Sequence, residues 1–211
     1  MQQVSKRVIF HVDVNSAFLS WEAVTRLAEG EKIDLREIPS AVGGDIETRH
    51  GVILAKSIPA KKYGVTTGEP VVDALRKCPE LVLVKPHHEM YKEKSRAFIG
   101  ILQQYSDRIE QFSVDEAFVD MTGTGRLFGP PVEAATRMKD QIHRELGFTV
   151  NVGISSNKLL AKMASDFKKP DRVHTLFPEE IATKMWPLPV RDLLFVGKSA
   201  EQRLKALGIQ T

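Results

Sequence analysis

The spacing of apolar residues along this chain changes period in a fixed order, and that order leaves few folds open. Residues 7–14 form an apolar, β-prone run, and a helix is predicted over 17–28, with Asn15 or Ser16 as its cap and Gly30 as its stop. Between Tyr91 and Tyr105, apolar residues at 91, 98, 101, 102 and 105 keep helical spacing. The period then shortens. Residues 109–112 and 117–121 read as the strands of a β-hairpin, with Ser113-Val114-Asp115-Glu116 at its turn. Pro130-Pro131 opens a second amphipathic helix with the stripe Ala135, Met138, Ile142 and Leu146, stopped by Gly147, and 148–154 reads as a strand. Strand, insertion, helix, hairpin, helix, strand is the order of a ferredoxin-like α+β sheet.

Two stretches lie outside that pattern. Residues 29–83 are added after the first strand: Gly43-Gly44 signals a turn, a polar stretch follows, Val52-Ile53-Leu54-Ala55 reads as a short buried strand, and Pro59 and Gly64 bracket a basic loop or short helix. Beyond the last strand, Ser156-Asn157 caps a helix that packs through Leu159, Leu160, Met163, Ala164 and Phe167 and ends at Pro170. Lys158 and Lys162 fall on another face of it. From Lys158 to Arg172 there are five Lys or Arg against two acids, so this segment alone carries an excess equal to the net charge of the whole chain, +3. Lys158 and Lys162 are either phosphate contacts or a solvated helix face.

At 211 residues, 42% of them apolar and 27% charged, the chain can bury one good core and a smaller second one. No apolar run approaches the roughly 20 residues that cross a bilayer, and residues 4–21 are interrupted by Lys6, Arg7, His11, Asp13 and Asn15, so neither a membrane span nor a signal peptide is expected. A single cysteine, Cys78, can form neither an internal disulfide nor a zinc site by itself. The expected location is cytoplasmic, and any metal must be held by oxygen. A net charge of +3 permits nucleic-acid binding without implying it.

The strongest constellation of chemical groups is Asp13 with Asp115-Glu116. Asp13 stands inside the apolar run Phe10-His11-Val12-Asp13-Val14, where an unpaired charge would be costly to bury. In a ferredoxin-like order the first strand and the hairpin are neighbours, so three carboxylates converge at one sheet edge. Adjacent residues of a flat strand point to opposite faces, and the hairpin turn is what lets Asp115 and Glu116 share a target. Carboxylates so close repel, and a hard cation such as Mg²⁺ removes the repulsion while leaving positions for phosphate oxygens. That arrangement suits two-metal phosphoryl transfer. His87-His88 has no partner acids at metal spacing and reads as loop, and Trp21 and Trp186 as packing residues.

The segments His11-Val12-Asp13-Val14-Asn15-Ser16-Ala17-Phe18, Ser113-Val114-Asp115-Glu116-Ala117-Phe118 and Val152-Gly153-Ile154-Ser155-Ser156-Asn157-Lys158-Leu159-Leu160-Ala161-Lys162 resemble the three palm motifs of the Y-family, lesion-tolerant DNA polymerases. Ala55-Lys56-Ser57 through Lys61-Lys62-Tyr63-Gly64-Val65 resembles their fingers motif. The segments occur in family order over essentially the whole chain, and the likeness is closest to the bacterial DNA polymerase IV-like branch.

The resemblance implies an α+β, ferredoxin-like palm with a small fingers insertion and a partial helical thumb. Residues 1–16 and 84–176 would be palm, 17–83 fingers and 177–211 partial thumb, with the family's little-finger domain absent and the chain part of a longer protein. It implies template-directed nucleotidyl transfer with two Mg²⁺ ions, error-prone synthesis past damaged bases, and primer-template DNA and deoxynucleotides as partners, with a sliding clamp reached through the absent part. Asp13, Asp115 and Glu116 would be the catalytic carboxylates and metal ligands, joined by the Val14 carbonyl. Phe18 would be the steric gate that leaves no room for a ribose 2′-hydroxyl, with Ala17 beside it at the substrate. Lys169 and Lys61 would meet the triphosphate. Lys61 stands where the family often has arginine, and Ile58 where it often has a tyrosine that contacts phosphate. The segment from Leu193 to Ile209 resembles a thumb helix-hairpin-helix, with Gly197 and Lys198 at a DNA phosphate alongside Lys158 and Lys162; as bare sequence it is equally an αα-hairpin. Two other classes share parts of this pattern: nucleotide cyclases, which place two metals on a similar palm without a template, and a non-catalytic DNA-binding relative, which would have lost the carboxylates.

Overall fold

The computed structural model describes residues 7–44 and 51–211. Most of the polar stretch read after Gly43-Gly44 lies outside the described residues. In chain order the elements begin with strand β1 (Ile9–Val14) and helix α1 (Ala17–Ala28). Ser16 occupies the cap position of α1 in a left-handed conformation, φ +46°, and its side chain makes no cap bond, contrary to expectation. The turn is held instead by Ser20 Oγ, which donates to the Asn15 carbonyl at 2.7 Å. Strands β2 (Ser40–Gly43) and β3 (Ile53–Lys56), helices α2 (Ile58–Lys62) and α3 (Val71–Lys77), and strand β4 (Val82–Val84) make up the insertion.

Helix α4 (His88–Leu102) is followed by the hairpin β5 (Ile109–Gln111) and β6 (Glu116–Asp120), then the short α5 (Gly125–Phe128) and the long α6 (Pro131–Leu146). Strand β7 (Val150–Ser155), helix α7 (Lys158–Ser165), strand β8 (Val173–Thr175) and helices α8 (Ile181–Lys184) and α9 (Lys198–Ala206) complete the chain. Among the described residues no helix is long and apolar enough to cross a membrane.

The chain divides into two compact units. One comprises residues up to Asp13, Ile99–Ile142 and Thr149–Thr211; the other, Val14–Phe98 and His143–Phe148. The first is built on a five-stranded sheet in the order β5-β6-β1-β7-β8. Without β8, which pairs parallel to β7, this is the ferredoxin-like order expected from the sequence. Strands β1 and β6 pair antiparallel with Ile9 opposite Asp120, His11 opposite Phe118 and Asp13 opposite Glu116. Every residue of β1 and β7 is buried, so both strands are covered on both faces.

Helix α7 covers one of those faces at very short range. A Cβ on Gly153 of β7 would fall inside the Ala161 carbonyl oxygen and the Ser165 amide nitrogen, so only glycine lets the helix lie this close. The helix starts where predicted: Asn157 accepts the Leu160 amide at 2.9 Å. Its packed face is Leu160, Met163 and Ala164, against Leu176, Phe167, Ile181 and Met185. Leu159, expected on that face, is 50% exposed, because it stands a quarter-turn before Leu160 and the stripe at 160, 163, 164 and 167 is already complete. Trp186, expected to pack, is 67% exposed, whereas Trp21 is fully buried.

In the second unit β2 lies between β3, antiparallel, and β4, parallel. Alternation along β2 splits the apolar residues between two faces. Ala41 joins Ile53, Ala60, Val65, Val71 and Ala74, while Val42 joins Leu19, Ala23, Leu35, Ala55 and Val84. Helices α2 and α3 therefore cover one face and α1 the other.

Candidate active site

The hairpin turn falls one residue earlier than the sequence pattern indicates, over residues 112–115, and this fixes the acids. Glu116 is the first residue of β6, and its carbonyl accepts the amides of Phe112 and Ser113 at 2.9 and 3.1 Å. Its side chain therefore shares a sheet face with that of its register partner Asp13. Asp115 ends the turn. Its carboxylate accepts the Ser113 hydroxyl at 2.7 Å, and its pKa is raised by burial and by the charges of Asp13 and Glu116. The three predicted carboxylates are thus brought within electrostatic reach of one another.

Like charges directly opposite each other on a sheet are destabilising, so the pair needs a counter-charge. Two lysines supply it. Lys162 of α7 donates to Glu116 Oε1 at 2.8 Å and lies 3.5 Å from Asp13 and 3.4 Å from Asp166. Lys169 donates to Asp13 Oδ2 at 2.5 Å and to Asp166 at 2.9 Å. Burial pulls the pKa of each lysine down, but the hydrogen bonds and acidic neighbours outweigh it and leave both raised. For Glu116, burial pushes upward, yet the His11 and Lys162 side chains bring its pKa down to about 2. His11 is wholly buried, with Nδ1 2.8 Å from Ser165 Oγ and Nε2 3.6 Å from Glu116, beyond hydrogen-bond range.

Lys162 is therefore no solvated helix residue: it is 8% exposed and faces the acids. Lys158 is separate from this cluster. It is exposed, paired with Glu110 and 5.7 Å above the Phe118 ring. As the side chains stand, no three acids, histidines or cysteines among the described residues form a metal-ligand set, because ammonium groups sit between the carboxylates. The donors themselves, three carboxylates whose charges repel, fit a hard, oxygen-seeking cation.

Val14, at the end of β1, and Ala17, the first residue of α1, are both buried. Phe18 is half-buried and stacks on Tyr91, with ring centroids 4.6 Å apart and planes 15° from parallel. Tyr91 donates to Glu22 at 2.6 Å, and His87 lies 2.8 Å from the same carboxylate oxygen, so the His87-His88 pair has an acid partner that sequence reasoning missed. Lys61 is exposed on α2, and Ile58 is 56% exposed. Gly197 takes the cap position of α9 and Lys198 is its first residue, both exposed. The hairpin before them is a short 3₁₀ turn over Val190–Asp192, and Phe195 follows with φ +68°.

Sequence reasoning also missed Asp166. The signal was present in its spacing, four residues after Lys162 on one helix.

The impB/mucB/samB family model matches residues 12–166, and an IMS family HHH motif matches 178–209. The DNA polymerase IV of Clostridium acetobutylicum is 53% identical over 205 residues, covering 97% of this chain and 52% of the relative. DNA polymerase IV 1 of Bacillus subtilis is 40% identical over 205 residues, covering 97% of this chain and 48% of the relative. The chain thus spans about half the length of the relatives it matches. The crystal structure of DinB from Sulfolobus solfataricus matches with a TM-score of 0.82 at 27% identity, over 97% of this chain and 58% of that one. An insertion ternary complex of Dbh DNA polymerase matches with a TM-score of 0.83 at 28% identity, over the same shares.

Proposed function

The chain belongs to the impB/mucB/samB family, and on that premise we propose that it carries the catalytic part of a Y-family, DNA polymerase IV-like enzyme, which adds deoxynucleotides to a primer against a template and tolerates damaged bases. The observation that supports this reading best is the carboxylate pair Asp13–Glu116, in register and flanked by Asp115, beside two lysines that neutralise it. In this reading residues 1–16 and 84–176 serve as palm, 17–83 as fingers and 177–211 as part of the thumb.

Asp13, Asp115 and Glu116, with the Val14 carbonyl, would hold two Mg²⁺ ions. Bound there, such ions favour loss of the primer hydroxyl proton and offset the charge on the departing pyrophosphate. Lys169 has two acids within reach, so it can exchange Asp13 for a triphosphate oxygen and keep Asp166. Lys61 would add a second point charge from α2. Phe18, backed by Tyr91, would close the space a 2′-hydroxyl needs, with Ala17 next to it. Gly197, Lys198 and Lys158 would meet DNA phosphates, whereas Lys162 is committed to the acids.

The experiment is primer extension with Mg²⁺ by the full-length protein and by its Asp115→Ala variant. Asp115 is a half-buried turn residue, so the variant should keep its fold, checked by circular dichroism, and lose extension. Normal extension by a folded Asp115→Ala would remove the metal assignment. Product without primed DNA would point to a cyclase instead.

A further inference from the structure

We infer that Asn151 is a positioning residue that fixes the loop carrying Lys169, and so sets how tightly the site grips a nucleotide triphosphate; the inference rests on the polymerase reading above. Asn151 lies in β7, wholly buried, two residues before Gly153. An amide in such a place must satisfy its donors and its acceptor internally.

The way it does so is specific to one segment. Nδ2 donates to the Ser165 carbonyl at 3.0 Å and to the Lys168 carbonyl at 2.8 Å. Oδ1 accepts the Arg172 amide at 3.2 Å. One side chain therefore ties together the last residue of α7, the residue before Lys169 and the residue that leads into β8.

The segment between those anchors holds the chemistry. Lys169 and Asp166 lie within it, and Lys169 reaches Asp13 from there. A lysine stem has four rotatable bonds, so its ammonium is useful only as far as its backbone is held. Lys139, paired with Asp171 at 2.9 Å, steadies the far side of the same loop from α6. Nothing in the sequence marks Asn151 for this task, since a lone asparagine in an apolar strand reads as a misfit.

The test measures single-nucleotide incorporation by the protein, Asn151→Ala, Lys169→Ala and the double variant. If Asn151 acts through Lys169, Asn151→Ala raises the nucleotide KM about tenfold or more, because displacing a binding group by ångströms carries penalties of up to about a hundredfold. The KM for primer-template and the incorporation rate at saturating nucleotide should change little. In the Lys169→Ala background, Asn151→Ala should add nothing. Asn151→Ser, which keeps one donor, should recover part of the loss. Amide hydrogen exchange supplies a readout independent of activity: Arg172 should lose protection in Asn151→Ala while Val119, in β6 and paired with β1, keeps it.

An unchanged nucleotide KM in Asn151→Ala, with Lys169→Ala impaired, would overturn this inference alone. So would multiplicative losses in the double variant, which mark a merely structural role. A normal nucleotide KM in Lys169→Ala would overturn both this inference and the role of Lys169 on which it stands.

Discussion

Lys162 carries more electrostatic responsibility than any lysine around it, because its ammonium touches Asp13, Glu116 and Asp166 while its side chain is only 10% exposed. Replacing it with methionine keeps the stem and removes the charge, which leaves three acids with less to offset them. Breaking a buried pair by deleting one partner costs about 3–5 kcal/mol, so Lys162→Met should melt well below the parent in chelator. Added Mg²⁺ should restore part of the difference, and melting curves with and without the ion would show it. Glu116 makes a related pH prediction. Its pKa falls from 4.5 to about 2 on folding, so its stabilising contribution is complete above about pH 4.5 and is lost as the pH drops toward 2. Acid-unfolding curves of the parent should therefore show a fall across that window that is reduced in Glu116→Gln.

At the scale of elements, the placement of Lys162 depends on how closely α7 lies on β7. Gly153→Ala puts a methyl group where the Ala161 carbonyl and Ser165 amide already are, and neither backbone group can swing aside. Overpacking of this kind costs about 1–3 kcal/mol or more. Denaturant titration of Gly153→Ala should find a loss at the upper end, with α7 lifted and the Lys162–Glu116 pair weakened. Helix periodicity and strand alternation were enough to read α1, α4, α6 and α7 and the hairpin from the sequence. The strands β2, β4 and β8 were not legible, because each is three or four residues long and takes its stability from neighbours far along the chain. Asp13, Asp115 and Glu116 were legible because acids in apolar or turn settings stand out. Lys162 read equally as a phosphate contact or a solvated residue, because its burial is created by the sheet rather than by its own helix. Asn151 was missed since backbone groups that it bonds lie 14, 17 and 21 positions downstream.

For the molecule as a whole, charge is modest and unevenly held. The net charge is +3, and the lysines of the acid cluster are already spent on carboxylates. That leaves Lys158 and Lys198 as the ammonium groups proposed for DNA. Non-specific affinity scales with such contacts, so with two of them binding of this chain to primer-template should fall at the weak end, on the order of a hundred micromolar or weaker at physiological salt. With two contacts the slope of log affinity against log salt is about −1.8, which gives a fall of about twelvefold between about 50 and about 200 mM salt. Fluorescence anisotropy of a labelled duplex would measure both, and a much steeper slope would mean that more of the chain's cations reach phosphate.

The register that sets Asp13 against Glu116 also means that the pair is made before its counter-charges are. When β6 leaves the ribosome, the two acids can meet, but Lys162 is still 46 residues behind Glu116 and Lys169 farther still. A nascent chain that paired β1 with β6 at that moment would hold two facing carboxylates with no lysine between them. Like charges facing each other on a sheet are destabilising, so the β1–β6 pairing gains strength only once α7 brings Lys162 to the pair.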